Sequence, residues 1–222
     1  MIHIEGLRHH LLEIPSLTIA GPKVALIGRN GAGKTSLLEL LAGIDRPKEG
    51  SITVDGEEPR TLRVGWVGEF PDHTILFSRV FDEVCSSLRF TYVPVAEAER
   101  MARETMRSLG ALHLWDRATA ELSGGEKALV AYAAAVVNPP RLLILDEVDS
   151  HLDERCASLI SDSILHSGFQ TVFCTQDMDL AAKADEVLFL DNGRVVQHGP
   201  PQEVFHALEG SCFYPNSWRM GP

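Results

Sequence analysis

Cysteine is scarce and scattered. The four cysteines, Cys85, Cys156, Cys174 and Cys212, form no CxxC pair. That excludes a disulfide framework and a thiolate zinc site, and fits idle thiols in a reducing compartment. No apolar run approaches the roughly 18 residues of a membrane-spanning helix. The longest smooth run, residues 128–137, suits a buried helix instead. The opening ten residues lack a basic region followed by an apolar stretch, so no secretion signal is expected. Basic residues are the minority: 20 Lys and Arg against 31 Asp and Glu, a net charge of −11. A phosphate-backbone binder is normally basic, so nucleic acid is disfavoured as a partner. Internal repeats and low-complexity linkers are missing too. What remains is 45% apolar and 23% charged over 222 residues, the composition of a soluble globular protein rather than a disordered, collagenous or coiled-coil chain.

The order of patterns points to an α/β fold. Val24-Ala25-Leu26-Ile27 is a continuous apolar run, the mark of a strand buried on both faces. Residues 142–145, 171–174 and 187–190 repeat that mark. Helical periodicity lies between them, over residues 36–42, 95–109, 123–137, 156–165 and 202–208. In the second of these, Val95, Ala98, Met101, Ala102, Thr105, Met106 and Leu109 recur at three- and four-residue steps, which makes the methionines core residues. Asn138-Pro139-Pro140 stops the third. Strands alternating with helices imply a mostly parallel sheet. Asp55-Gly56 is a hairpin signal. Trp66 and Trp115 read as core or interface residues. Phe213, Tyr214 and Trp218 lie in an aperiodic tail, read as an arm on the body or on a partner.

Two motifs carry chemistry. Gly28-Arg29-Asn30-Gly31-Ala32-Gly33-Lys34-Thr35 fits GxxxxGK[ST], between a strand and a helix. Its glycines let backbone N–H groups wrap phosphate oxygens, and the helix N-terminus that continues through Ser36 adds positive potential. Lys34 can reach the β- and γ-phosphates, and Thr35 can offer its hydroxyl to Mg²⁺. The run 142–145 ends in Asp146-Glu147, placing two carboxylates at the carboxyl edge of the sheet. Asp146 is expected to hold Mg²⁺. Glu147 is expected to be the base that orients or deprotonates the attacking water. Ser123-Gly124-Gly125-Glu126 opens another helix with bare amides, either a plain cap or a second anion site. His73, His113, His166, His198 and His206 have no ligand spacing, and no metal is assigned to them.

The succession GRNGAGKTS, LSGGE, LLILDE, SHLD and CTQD resembles the ATP-binding subunits of ATP-binding cassette (ABC) transporters across essentially the whole chain. LSGGE is its most specific element. Phe70-Pro71-Asp72, Leu76-Phe77-Ser78, the stretch from Phe81 to Val84, that from Asp177 to Ala181 and that from Gly199 to Phe205 are similar to the energy-coupling-factor and cobalt-type importer ATPases. The resemblance implies an α/β P-loop NTPase fold of ABC type: one domain over residues 1–222, with a mostly parallel sheet, an N-terminal antiparallel part, a helical subdomain inserted at about 72–138 and a tail from about 209. It implies ATP and Mg²⁺ as cofactors and a head-to-tail homodimer, or a heterodimer with a second ABC ATPase. Ser123, Gly124, Gly125 and Glu126 of one subunit would complete the other's site. Residues 150–153 would link the two sites, with His151 among them. A membrane subunit would dock near Glu69, placing the chain at the cytoplasmic face of a prokaryotic cell membrane, driving import of a vitamin or metal ion. A soluble ATPase that remodels protein complexes and a slow nucleotide-gated scaffold are the competing readings.

Three positions depart from the pattern. Glu69 stands where the family usually has glutamine; a carboxylate can ligate Mg²⁺ but repels the γ-phosphate. Gln176 stands where histidine is usual, so it can donate a neutral hydrogen bond but cannot carry a proton's charge. With Glu147 retained, slow hydrolysis is expected. No Phe, Tyr or Trp precedes Lys34 to stack on adenine, which leaves Arg8, His9 and His10 as candidates.

Overall fold

A computed structural model describes residues 1–148, 152 and 154–219. Ser150, His151 and Asp153 of the expected inter-site loop lie outside the described residues. The elements run β1 (Ile2–His9), β2 (Leu12–Ile19), β3 (Lys23–Gly28), α1 (Lys34–Leu41), β4 (Glu49–Val54), β5 (Val64–Val67), α2 (Val80–Phe90), α3 (Val95–Ser108), α4 (Gly124–Val136), β6 (Leu142–Asp146), α5 (Glu154–His166), β7 (Gln170–Cys174), α6 (Met178–Ala181), β8 (Glu186–Asp191), β9 (Arg194–Gly199), α7 (Pro201–Ala207) and α8 (Asn216–Arg219).

Two sheets organise them. A three-stranded antiparallel sheet has the order β2-β1-β4, and a six-stranded sheet has the order β5-β6-β7-β3-β8-β9. The first five strands of the larger sheet are parallel, and only β9 is antiparallel. The continuous apolar runs serve both faces of this sheet. Val24, Leu26, Ile144 and Val172 face a core with Leu37, Leu38 and Leu41 of α1 and with Ile2, Ile4 and Val54 of the small sheet. Their neighbours Ala25, Ile27, Leu145 and Phe173 face the core made by α2 to α5. Alternate residues point to opposite faces of a strand, so one run feeds two cores. Because β3, β5, β6 and β7 are parallel, their carboxyl ends share one edge, and the loops that leave them converge there.

The structure corrects several local expectations. Asp55-Gly56 makes a tight turn closed by the single bridge Val54–Glu57, and the chain then leaves β4 for a short turn at Pro59–Thr61 instead of pairing back along it. Two-residue hairpins sit instead at His10-Leu11, between β1 and β2, and at Asn192-Gly193, between β8 and β9. Helix α2 is not among the helices expected from the sequence, although Val80, Val84, Cys85 and Leu88, its buried apolar face, recur at helical spacing among polar residues. Trp115 is a core residue, with Phe81 against one side at 5.0 Å and the Arg103 guanidinium 4.3 Å from its ring centre. The tail through Arg219 lies on the body. Phe213 meets Phe189 and Trp218 meets Phe205, while Ser217 donates to Asp179 of α6 through both its N–H and its hydroxyl.

Candidate active site

The site begins where β3 ends. Gly28 has φ 150°, and a Cβ there would stand 2.1 Å from the Leu190 carbonyl oxygen. Only glycine lets β3 lie this close to β8 and turn away. The loop then tightens through a hydrogen bond from Ala32 N–H to Arg29 O, 3.1 Å. Gly33, left-handed at φ 100°, opens α1 with no side-chain cap and no acidic residue in the first turn. The first amides of α1 are therefore left to an anion. Lys34 is 6% exposed. Its ammonium donates to the carbonyls of Gly28 (3.1 Å) and Arg29 (3.2 Å), and lies 3.4 Å from Glu147 Oε1. The buried ammonium is thus held inside the loop by the loop's own carbonyls.

Asp146, the last residue of β6, is 4% exposed. Burial pushes its carboxyl above the ordinary carboxylate range; the Thr35 hydroxyl, which donates to it, pulls the other way, and the charges of Glu147 and Glu69 push it up again. Glu147 follows in a left-handed conformation, φ 47°, which costs a residue with a Cβ roughly 1–2 kcal/mol. Its N–H donates to Cys174 O of β7 at 3.1 Å. The turn delivers its carboxylate between two elements: Oε1 faces Lys34 at 3.4 Å and Oε2 accepts from Gln176 Nε2 at 2.7 Å. Lys34, Thr35, Asp146, Glu147, Glu69 and Gln176 therefore converge from α1, β6 and the loops after β5, β6 and β7.

A cleft of about 430 Å³ joins all of these but Asp146, which lies behind Thr35, and is lined also by Asn30, Gly31, Gly33, Ser36, His10, Leu11 and Leu12. Of the three candidates for the base, only His10 lines this cleft. Arg8 points at Glu13 (3.5 Å) and Glu49 (3.7 Å), and His9 is buried against Asp45. Leu11 and Leu12 carry no chemical signal in the sequence; the β1–β2 turn puts them on the cleft wall.

Ser123, Gly124, Gly125 and Glu126 do not line the cleft. They form a capping box on α4: Glu126 N–H donates to Ser123 Oγ (3.3 Å), and Ser123 N–H donates to Glu126 Oε2 (2.8 Å). The Ser123 N–H, with Arg117 beside it, holds the Glu126 carboxyl below the ordinary range. A Cβ on Gly124 would meet nothing within 4 Å, so the start of α4 is open.

The sequence profile of the ABC transporter family matches residues 13–150. The lipoprotein-releasing system ATP-binding protein LolD of Pseudomonas fluorescens is 37% identical over 191 residues, 79% of this chain and 84% of that protein. The energy-coupling factor transporter ATP-binding protein EcfA1 of Lactiplantibacillus plantarum is 34% identical over 206 residues, 88% of this chain and 73% of that protein. Among solved structures, cbiO1 of Clostridium perfringens, part of the ABC transporter complex cbiONQ, superposes with a TM-score of 0.81 at 28% identity, over 94% of this chain and 91% of that one. No described helix is long and apolar enough to cross a membrane. A buried phosphate-loop lysine, a carboxylate pair at the sheet edge and matches of this extent lead to one statement: the chain belongs to the ABC transporter family, with its P-loop ATPase fold, and is an ATPase subunit that binds ATP and hydrolyses it to drive transport.

Proposed function

We propose that the chain binds Mg·ATP in this cleft, closes head to tail on a second ABC ATPase subunit, and drives a membrane-embedded importer of a vitamin or metal ion from the cytoplasmic face. The observation that supports the dimer is the separation of the turn at residues 123–126 from the cleft. The N-terminus of α4, closed by its own capping box, stands apart from the cleft that holds Lys34, so Ser123, Gly124, Gly125 and Glu126 would meet a phosphate only in the cleft of a second subunit. Import rests on the likeness to the energy-coupling-factor and cobalt-type ATPases.

The residues fit Mg²⁺. The Thr35 hydroxyl, Asp146 and Glu69 supply hard oxygen donors in one place. Bound there, the ion would offset the charge of the phosphates. Lys34 would exchange loop carbonyls for phosphate oxygens. Glu147 would accept a hydrogen bond from the attacking water, with its carboxylate steadied by Gln176. That steadying is neutral. Gln176 contributes no positive charge toward the γ-phosphate, and Glu69 contributes a negative one, so turnover is slow.

The test is to tag the chain in its own host, extract it in mild detergent and identify what co-purifies. A polytopic membrane protein is the expected result, and a second ATPase beside it would make the dimer asymmetric. Soluble partners alone would overturn the transporter assignment in favour of remodelling. A membrane complex that releases lipoproteins would overturn import and keep the ATPase.

A further inference from the structure

The β1–β2 turn carries a cluster of ligating groups that ATP hydrolysis does not use. Successive residues of a strand send their side chains to opposite faces. His10 escapes that rule because its backbone is left-handed at the turn, φ 49°. The rings of His9 and His10 therefore come edge to face, with centroids 4.2 Å apart. Asp45, in the loop after α1, closes the group, its Oδ2 lying 3.2 Å from His9 Nε2. One ligating atom from each of the three lies within 4.8 Å of the other two.

One further observation points to a ligand. His9 is 5% exposed, and its Nδ1 is buried with no hydrogen-bond partner. A buried histidine kept only for structure is expected to engage both ring nitrogens.

We propose that His9, His10 and Asp45 bind one divalent first-row transition-metal ion of the zinc class. Two imidazoles and a carboxylate suit a borderline dication, whereas Mg²⁺ prefers oxygen donors. Ligands around a tetrahedral zinc ion stand about 3.4 Å apart. His10 and Asp45 are both exposed and can rotate to close that distance. Because His10 also lines the cleft, the ion and the base draw on the same ring. This coupling rests on the cleft being the nucleotide site; the metal site itself does not.

Chelator-stripped full-length chain is titrated with Zn²⁺ against a chromogenic competitor, without nucleotide. One site per chain is expected, of micromolar affinity or tighter, indifferent to millimolar Mg²⁺. His10→Ala and Asp45→Asn, both at exposed positions and checked for native circular dichroism, each weaken it at least tenfold, while Asp146→Asn leaves it intact. Absence of stoichiometric binding, affinity unmoved by His10→Ala and Asp45→Asn, or its loss in Asp146→Asn overturns the site. In a second measurement, saturating Zn²⁺ weakens binding of a fluorescent ATP analogue several-fold in the native chain and not in Asp45→Asn. An equal effect in both overturns the coupling. An analogue that binds neither protein contradicts the nucleotide reading, and the titration still decides the metal site.

Discussion

The two ends of the cleft are built by different means. At the phosphate end the backbone sets the geometry: Gly28 pressed against Leu190, Gly33 opening α1, and Lys34 and Asp146 sunk below the surface. At the other end, His10 and Leu11 ride on an exposed turn of the small sheet and offer only side chains. A backbone cradle demands particular residues at fixed spacing, because a misplaced Cβ strikes a neighbouring carbonyl. A side-chain wall tolerates exchange of one flat or apolar group for another. Phosphate chemistry should therefore be brittle in this protein, and base contact pliable.

The sharpest check is Glu147→Gln. The variant keeps the size of the side chain and removes the base, so turnover should fall about 10²–10⁴-fold while nucleotide still binds. Phosphate release and equilibrium nucleotide binding, measured side by side, decide it. Turnover within about tenfold of the native rate would move the base elsewhere and break the comparison at its stronger end.

Gln176→His asks whether that end is fully equipped. Gln176 already reaches Glu147 at 2.7 Å, so a histidine there would stand at the same carboxylate. A charged donor toward the γ-phosphate in place of a neutral one gains about 1–1.5 kcal/mol, or about 5–13-fold in rate. An unchanged or lower rate would mean that the neutral amide is matched to Glu69 and is not the brake.

Asp146→Asn measures what the buried carboxylate costs the fold. The carboxyl is held above its ordinary range by burial, with Glu147 and Glu69 adding to it. A raised carboxyl binds its proton more tightly in the folded state. Its contribution to stability is then present at low pH and is lost as pH rises through the folded value. At neutral pH the ionised group is a net cost. Asparagine can still accept from Thr35, so the nucleotide-free variant should melt higher at about pH 7.5. A gain of roughly 1 kcal/mol corresponds to about 2–4 °C, and it should shrink as pH falls toward about 4. A variant that melts lower at neutral pH would contradict the assigned cost.

The sequence is unequally legible along the same divide. Strands β3, β6, β7 and β8 can be read because burial on both faces writes uninterrupted apolar runs. Strand β9 cannot: it is an edge strand, exposed over much of its length, and its residues Arg194 to Gly199 look like loop. The Gly28–Ser36 stretch and Asp146-Glu147 can be read because spacing encodes their geometry. The grip of Gln176 on Glu147 depends on a left-handed backbone at Glu147 that no local pattern signals. Likewise, nothing in the sequence joins Asp45 to His9 and His10. Only the packing of α1 under the small sheet brings the loop after α1 to the β1–β2 turn.

The smallest expected effect is at the pliable end. With chelator present, so that no transition metal occupies the turn, His10→Ala should weaken nucleotide binding by only about 2–10-fold, the 0.5–1.5 kcal/mol of a ring-on-ring contact. His10→Tyr should recover or exceed native affinity, because a larger ring on the same turn needs no change of backbone. Equilibrium titration of ATP against the three proteins gives the order. If His10→Ala instead abolished binding, or if tyrosine could not substitute, the base end would be as exacting as the phosphate end. The glycines of the loop would then share control of affinity with a hairpin turn, and the distinction between backbone cradle and side-chain wall would fail for this protein.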